Sequence, residues 1–130
     1  MYYSYAFVIN HLKLASSSHQ RHITFRYTKK SLKLISLLYK LGVIHSFIIV
    51  SNSKKLVKIS PFIYKQTPFF KNVKLVSTPS RAYTINISSL RILERSIKQG
   101  IIILETSRGL LTHYDALRLN VSGRILCVIF

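Results

Sequence analysis

The sequence predicts a mixed α+β fold made of two small α/β modules packed together, residues 1–65 and 66–130, the second richer in strands. Three observations carry that expectation. Helical and alternating apolar periods succeed one another along the chain, and neither runs through it. Pro61 and Pro68 break the pattern near its middle. Hydrophobic residues make up 48% of 130 residues, enough for one core or two small ones sharing an interface.

Val8, Ile9, Leu12 and Ala15 recur near helical spacing and predict a helix over residues 5–16. His22-Ile-Thr-Phe-Arg-Tyr27 alternates as a half-buried strand. Thr28 is placed to cap a helix with Leu34, Leu37, Leu38 and Leu41 on its apolar face, and Gly42 to end it. Residues 43–50 and 56–60 read as a hairpin joined around Ser51-Asn52-Ser53. Residues 61–71 read as loop. Alternation returns at 71–76 and 82–87, on either side of a Thr78-Pro79-Ser80 turn. Ser88 is expected to cap a helix reaching Lys98 with Leu90, Leu93 and Ile97 inward. A buried strand at 101–104, a tight loop, a short strand, a helical turn after Thr112 and a final strand from Gly123 complete the chain.

Charge decides the class of function. Twenty Lys and Arg face only Glu94, Glu105 and Asp115, for a formal charge of +17. Such a chain repels itself when compact and gains most from a dense polyanion, whose condensed counterions each neutralised phosphate releases. Enzymatic readings lack parts. Three acids supply neither a convincing carboxylate pair nor a two-metal cluster. His19-Gln-Arg-His22 resembles half a zinc site that the single, distant Cys127 does not complete, and Cys127 itself sits in an apolar stretch as an inert core thiol. The residues call for no cofactor, metal or small-molecule substrate. No apolar run reaches 18 residues, and Met1–Asn10 has no basic n-region, so neither a membrane span nor a secretory signal is expected. The sequons at Asn86 and Asn120 then read as chance. Many Ile, Lys, Ser, Tyr and Phe with few Gly, Ala and Pro point to an AT-rich coding genome, as in an organelle.

The RNA-binding candidates fall into two sets. Arg26, Lys29 and Lys30, then Lys71, Lys74 and Arg81, interleave with aromatics and hydroxyls and suit phosphate contacts. The segment from Glu105 through Thr106, Ser107, Arg108 and Gly109 to Thr112 sets two hydroxyls and a cation in a tight loop. Gly109 permits an unusual backbone turn there, and Thr112 with Asp115 forms a capping signal for the helical turn that follows.

Thr106-Ser107-Arg108-Gly109-Leu110-Leu111-Thr112, then Ala116, Arg118, Asn120, Gly123 and Leu126-Cys127, resembles the C-terminal signature of the ribosomal protein S-eight family. That signature reads Ser-Thr-Ser-Lys-Gly, two aliphatics and Thr, then Glu-Ala-Arg and a Gly-Gly-Glu strand. Val76 to Tyr83 resembles the family's basic Pro-Gly turn before a strand, and residues 8–44 align without gaps. Glu105 stands where the family has its first Ser, Arg108 replaces Lys, and Ser122 and Arg124 alter Gly-Gly-Glu. The resemblance implies a structural protein of the small ribosomal subunit that binds a helix in the central domain of its RNA. It also implies Thr106 and Ser107 as readers of a splayed base arrangement, and neighbouring small-subunit proteins as further partners. With the AT-rich composition it places the chain in the mitochondrial ribosome, organelle-encoded, with the plastid ribosome as the alternative. Glu105 is expected either to pair with Arg108 across the loop, to accept from a base amino group, or to point into solvent. The competing readings are an RNA-processing factor outside the ribosome and a protein held on a membrane surface by basic amphipathic helices.

Overall fold

A computed structural model describes residues 2–18, 20–61, 63–64, 67–68, 73–77, 81–97 and 99–129. The chain divides into two compact units, residues 1–72 and 73–130. The boundary expected between residues 65 and 66 falls outside the described residues, as do Lys71 and the Thr78-Pro79-Ser80 turn.

The first unit runs α1 (Tyr2–Ser17), β1 (Ile23–Arg26), α2 (Lys29–Lys40), β2 (Ile44–Ser51) and β3 (Leu56–Pro61). A short ladder, β4 (Ile63–Tyr64) with β5 (Thr67–Pro68), occupies part of the stretch expected to be loop. The three longer strands form an antiparallel sheet in the order β1-β3-β2. Alternation places Ile23 and Phe25 beside Ile59 and Val57 on one face, buried. The helices cover that face: the Phe7 and Phe25 rings meet edge-on at 5.7 Å, and Tyr39 of α2 meets Phe47 of β2 at the same distance. Thr28 caps α2 as expected, its hydroxyl accepting from Ser31 N–H while Ser31 Oγ accepts from Thr28 N–H at 2.6 Å. The buried stripe of α2 is Ser31, Leu34, Ile35 and Leu38. It is rotated from the expected leucine face, since Leu37 and Leu41 are only half-buried. Gly42, at φ +80°, ends the helix in the left-handed region.

The second unit runs β6 (Val73–Leu75), β7 (Thr84–Ile85), α3 (Ile87–Ser96), β8 (Ile101–Thr106), β9 (Gly109–Thr112), α4 (His113–Leu119) and β10 (Gly123–Ile129). Its sheet is ordered β6-β10-β8-β9, with β7 also on β10. Strands β6 and β7 therefore lie end to end along one side of β10, at residues 127–129 and 123–124. The buried hydroxyl of Ser77 fastens this arrangement by donating to the Ile125 carbonyl and accepting from Tyr83 N–H. A bulge at Leu126 shifts the register of β10 on β8, so Ile125 and Val128, three apart, both join Leu90, Ile102, Leu104 and Ala116 in one core. The cap of α3 is Asn86 and not Ser88. Asn86 Oδ1 accepts from Ser89 N–H at 2.8 Å and from the Ser88 hydroxyl at 3.2 Å, because Asn86 directly precedes the helix, where its side chain reaches the free N–H groups, while Ser88 lies inside the first turn. Among the described residues no helix is long and apolar enough to cross a membrane.

Candidate nucleic-acid interface

The Glu105–Thr112 segment is the hairpin between β8 and β9, with Ser107 and Arg108 as its two-residue turn. Neither turn residue is left-handed; the chain takes that conformation at the next position, where Gly109 has φ +99°. The Thr106 hydroxyl closes the loop from inside, donating to the Gly109 carbonyl at 2.9 Å and accepting from Arg108 N–H at 3.2 Å. Its donor is thereby spent, leaving one acceptor lone pair for a ligand. Ser107 and Arg108 are exposed at the tip, and the Ser107 hydroxyl has no partner among the described residues.

Glu105 pairs with Arg124, its direct neighbour across β8 and β10, in a charge-assisted bond between Oε2 and Nη2. None of the three placements expected for Glu105 is this one. Arg108, the expected partner, stands at the turn, while the strand register brings Arg124 alongside. Both side chains are about one quarter to one third exposed, 26% and 30%, so the pair lies at the floor of a depression and not in open solvent. That depression has a cavity volume of about 460 Å³ and is lined by Thr84, Ile85, residues 105–107 and residues 122–124. Gly123 makes it possible, since a Cβ there would lie 2.6 Å from the Glu105 carbonyl oxygen and 2.7 Å from Thr106 Cγ2. The groove offers the hydroxyls of Thr84, Ser107 and Ser122, a neutralised carboxylate–guanidinium floor and the exposed Arg108 at its rim. These are donors and acceptors suited to sugar hydroxyls and base edges.

Thr112 takes a different part. It is 4% exposed and caps α4, accepting from Asp115 N–H at 3.4 Å and donating to Asp115 Oδ2 at 3.3 Å. Its hydroxyl orients α4 and does not reach the groove. Asp115 also pairs with Arg118 at 3.3 Å on the helix surface. His113, the first residue of α4, is fully buried; its Nδ1 accepts from Ile102 N–H at 3.1 Å, which puts the neutral ring's proton on Nε2. Burial holds its pKa below the ordinary histidine value, against the opposing pull of the Glu94 carboxylate. Burial also pushes the Cys127 thiol up to about 12, leaving no thiolate for nucleophilic work. No group of three His, Cys, Asp or Glu able to hold a metal occurs among the described residues.

Of the expected phosphate contacts, Lys74 and Arg81 are exposed in the second unit, Lys74 on the edge strand β6. Arg26 and Lys29 are exposed in the first unit, with Lys30 half-buried beside them at the start of α2. Sequence reasoning did not single out Thr84, Ile85 or Ser122 as groove residues, nor Arg124 as the partner of Glu105. Only the antiparallel register of β10 with β7 and β8 brings them together.

The Ribosomal protein S8 family profile matches residues 5–130 of this chain. The small ribosomal subunit protein uS8c of Tetradesmus obliquus is 34% identical over 131 residues, which cover 95% of this chain and 94% of that protein. Protein uS8 of Dictyoglomus thermophilum is 28% identical over 122 residues, and uS8m of Acanthamoeba castellanii 27% over 119, each match covering 92% of both chains.

Proposed function

Because this chain belongs to the ribosomal protein S8 family, we propose that it is a structural protein of the small ribosomal subunit that binds the central domain of the small-subunit RNA. Its part in translation is to hold that RNA in its assembled shape, and it carries out no catalytic step. The β8–β9 turn and the groove beside it are the specific reader. The observation that carries this is the closed Thr106–Gly109 turn, which presents Ser107 and Arg108 rigidly over a hydroxyl-lined depression in a strongly cationic chain. A rigid tip costs little ordering entropy when RNA arrives, so its hydrogen bonds contribute more fully to affinity. Lys74 and Arg81, with Arg26, Lys29, Lys30 and Lys71, add phosphate contacts that strengthen binding without selecting sequence. Other small-subunit proteins are the remaining partners. The relatives named uS8c and uS8m are chloroplast and mitochondrial forms, which supports an organellar ribosome. We take the mitochondrion as its place, with the plastid as the alternative that cell fractionation decides.

The test is binding of the purified chain to transcripts of each separate domain of the organelle's small-subunit RNA, with sedimentation of the native protein alongside. The expected result is preference for the central-domain transcript and co-migration with small subunits. Equal affinity for all transcripts, with native protein absent from the subunit peak, would reject the proposal in favour of an RNA-processing factor outside the ribosome.

A further inference from the structure

The first unit contains twelve of the twenty Lys and Arg and none of the three acids. No side-chain ion pair can form within it, whatever its geometry. Among the described residues, the sheet of this unit is covered on one face only. Its other face carries the row Thr24–Lys58–Ile48 across the three strands, all exposed, with Arg26 two residues along β1 on the same side. His22 and Ser60 extend the face, joined at 2.8 Å between Nδ1 and Oγ. At its end, Tyr27 N–H donates to the Lys55 carbonyl at 2.8 Å, which fixes the β2–β3 turn with Lys54 and Lys55 beside Arg26.

We infer that this open sheet face, centred on Arg26, Lys54 and Lys58, is a second RNA-binding surface that grips the backbone of a duplex. The inference rests on the RNA-binding reading of the chain, but concerns a surface separate from the β8–β9 groove. Three arguments favour RNA over an acidic protein. Four exposed cations, Arg26, Lys54, Lys55 and Lys58, stand at this face and its turn in a unit without a single acid, and each phosphate neutralised releases a counterion. Lysine is depleted at protein–protein interfaces, yet Lys58 stands on this face and Lys54 and Lys55 in the turn beside it. Thr24, Ser60 and His22 intersperse hydroxyl and imidazole groups among the cations, and sugar 2′-hydroxyls are what such groups meet on an A-form duplex.

The experiment compares the Lys54→Gln/Lys58→Gln variant with a Lys13→Gln/Lys40→Gln variant, which removes the same charge from exposed helix positions on the other side of the sheet. Each is measured for the salt dependence of binding to the central-domain transcript, and for thermal unfolding to establish that it folds. The sheet-face variant should flatten the log–log salt slope by roughly 1.4–1.8, the sum for two phosphate contacts. The helix variant should leave the slope unchanged. Equal flattening by both variants, or none by the first, overturns the inference while the wild-type affinity still upholds the RNA-binding reading. Loss of the Lys54/Lys58 variant from assembled subunits with its RNA binding intact would assign the face to a protein. A wild-type chain that binds no RNA removes both.

Discussion

Glu105 was the one residue whose chemistry contradicted its surroundings, an acid in the loop expected to meet phosphate. Its pairing with Arg124 removes the contradiction, because the carboxylate enters the groove already neutralised. The two departures from the family pattern, Glu105 for Ser and Arg124 for Glu, are thus one feature seen from two strands. A double-mutant cycle with Glu105→Ser and Arg124→Ser should give a coupling of about 1 kcal/mol in unfolding free energy, the scale of a partly exposed cross-strand pair. Additive losses would show that the charges ignore one another. The Thr106 and Ser107 hydroxyls, alike in sequence, are separated by their bonds. Thr106→Ala should lower both stability and RNA affinity, since it removes two bonds that close the turn, each contributing about 0.5–1.5 kcal/mol. Ser107→Ala should leave the unfolding midpoint unchanged and weaken only the cognate RNA, by about 1–3 kcal/mol. A fall in stability for Ser107→Ala would make it part of the scaffold. His113 adds a pH dependence. Its folded pKa is depressed, so below about pH 6.5 the unfolded chain binds the proton first and stability drops on acidification. His113→Asn, whose Oδ1 can still accept from Ile102 N–H, should flatten the decline of the melting midpoint between neutral and mildly acidic pH. An unaltered decline would move the effect to another histidine.

At the level of elements, periodicity located nearly every helix and strand of the described residues, because each buries one face and the apolar spacing records it. Pairing was less legible. The strands on either side of residues 78–80 invite reading as a hairpin, yet both lie along β10, whose paired residues come 38 to 56 positions later. Nothing local encodes that; the buried Ser77 hydroxyl reaching Ile125 does. The groove escaped notice for the same reason, since its walls come from three strands distant in sequence. Caps were half legible. Thr28 and Thr112 act as expected, while Asn86 displaced Ser88, a choice between polar residues two apart that only backbone geometry resolves. The β2–β3 turn holds a feature that composition conceals. Lys55 has φ +52°, a left-handed conformation that a residue with a Cβ adopts at a cost of about 1 kcal/mol. Lys55→Gly should therefore raise the unfolding free energy by roughly 0.5–1 kcal/mol, through relief of that strain, despite glycine's greater freedom when unfolded. Chemical denaturation of the two proteins measures it, and a destabilised Gly variant would show that the lysine stem contributes packing that outweighs the strain.

For the whole molecule, charge is distributed as unevenly as it is abundant. All three acids sit in the second unit, where Glu105 and Asp115 pair with arginines and Glu94 acts on His113, so they serve local architecture and leave the excess of cations uncompensated. At this scale the charge pointed to a class of partner and the motifs to the family, since few partners other than nucleic acid reward such a surplus. The surplus has a consequence that separates free protein from complex. In the free chain the cations repel one another across the folded surface, and dissolved salt screens that repulsion beyond a Debye length of about 10 Å at 0.1 M. In the complex the same salt competes for phosphate and weakens binding. Raising potassium chloride should thus increase the melting temperature of the free protein while lowering its affinity for RNA. Chloride is the appropriate anion, because sulfate strengthens apolar burial in any protein and would imitate the effect. Removing cations at Lys13 and Lys40, away from the inferred binding face, should reduce the salt-induced gain in stability and leave the salt slope of RNA binding intact. A melting temperature indifferent to chloride would mean that the cations are spaced widely enough for water alone to screen them. The charge surplus would then cost the fold nothing.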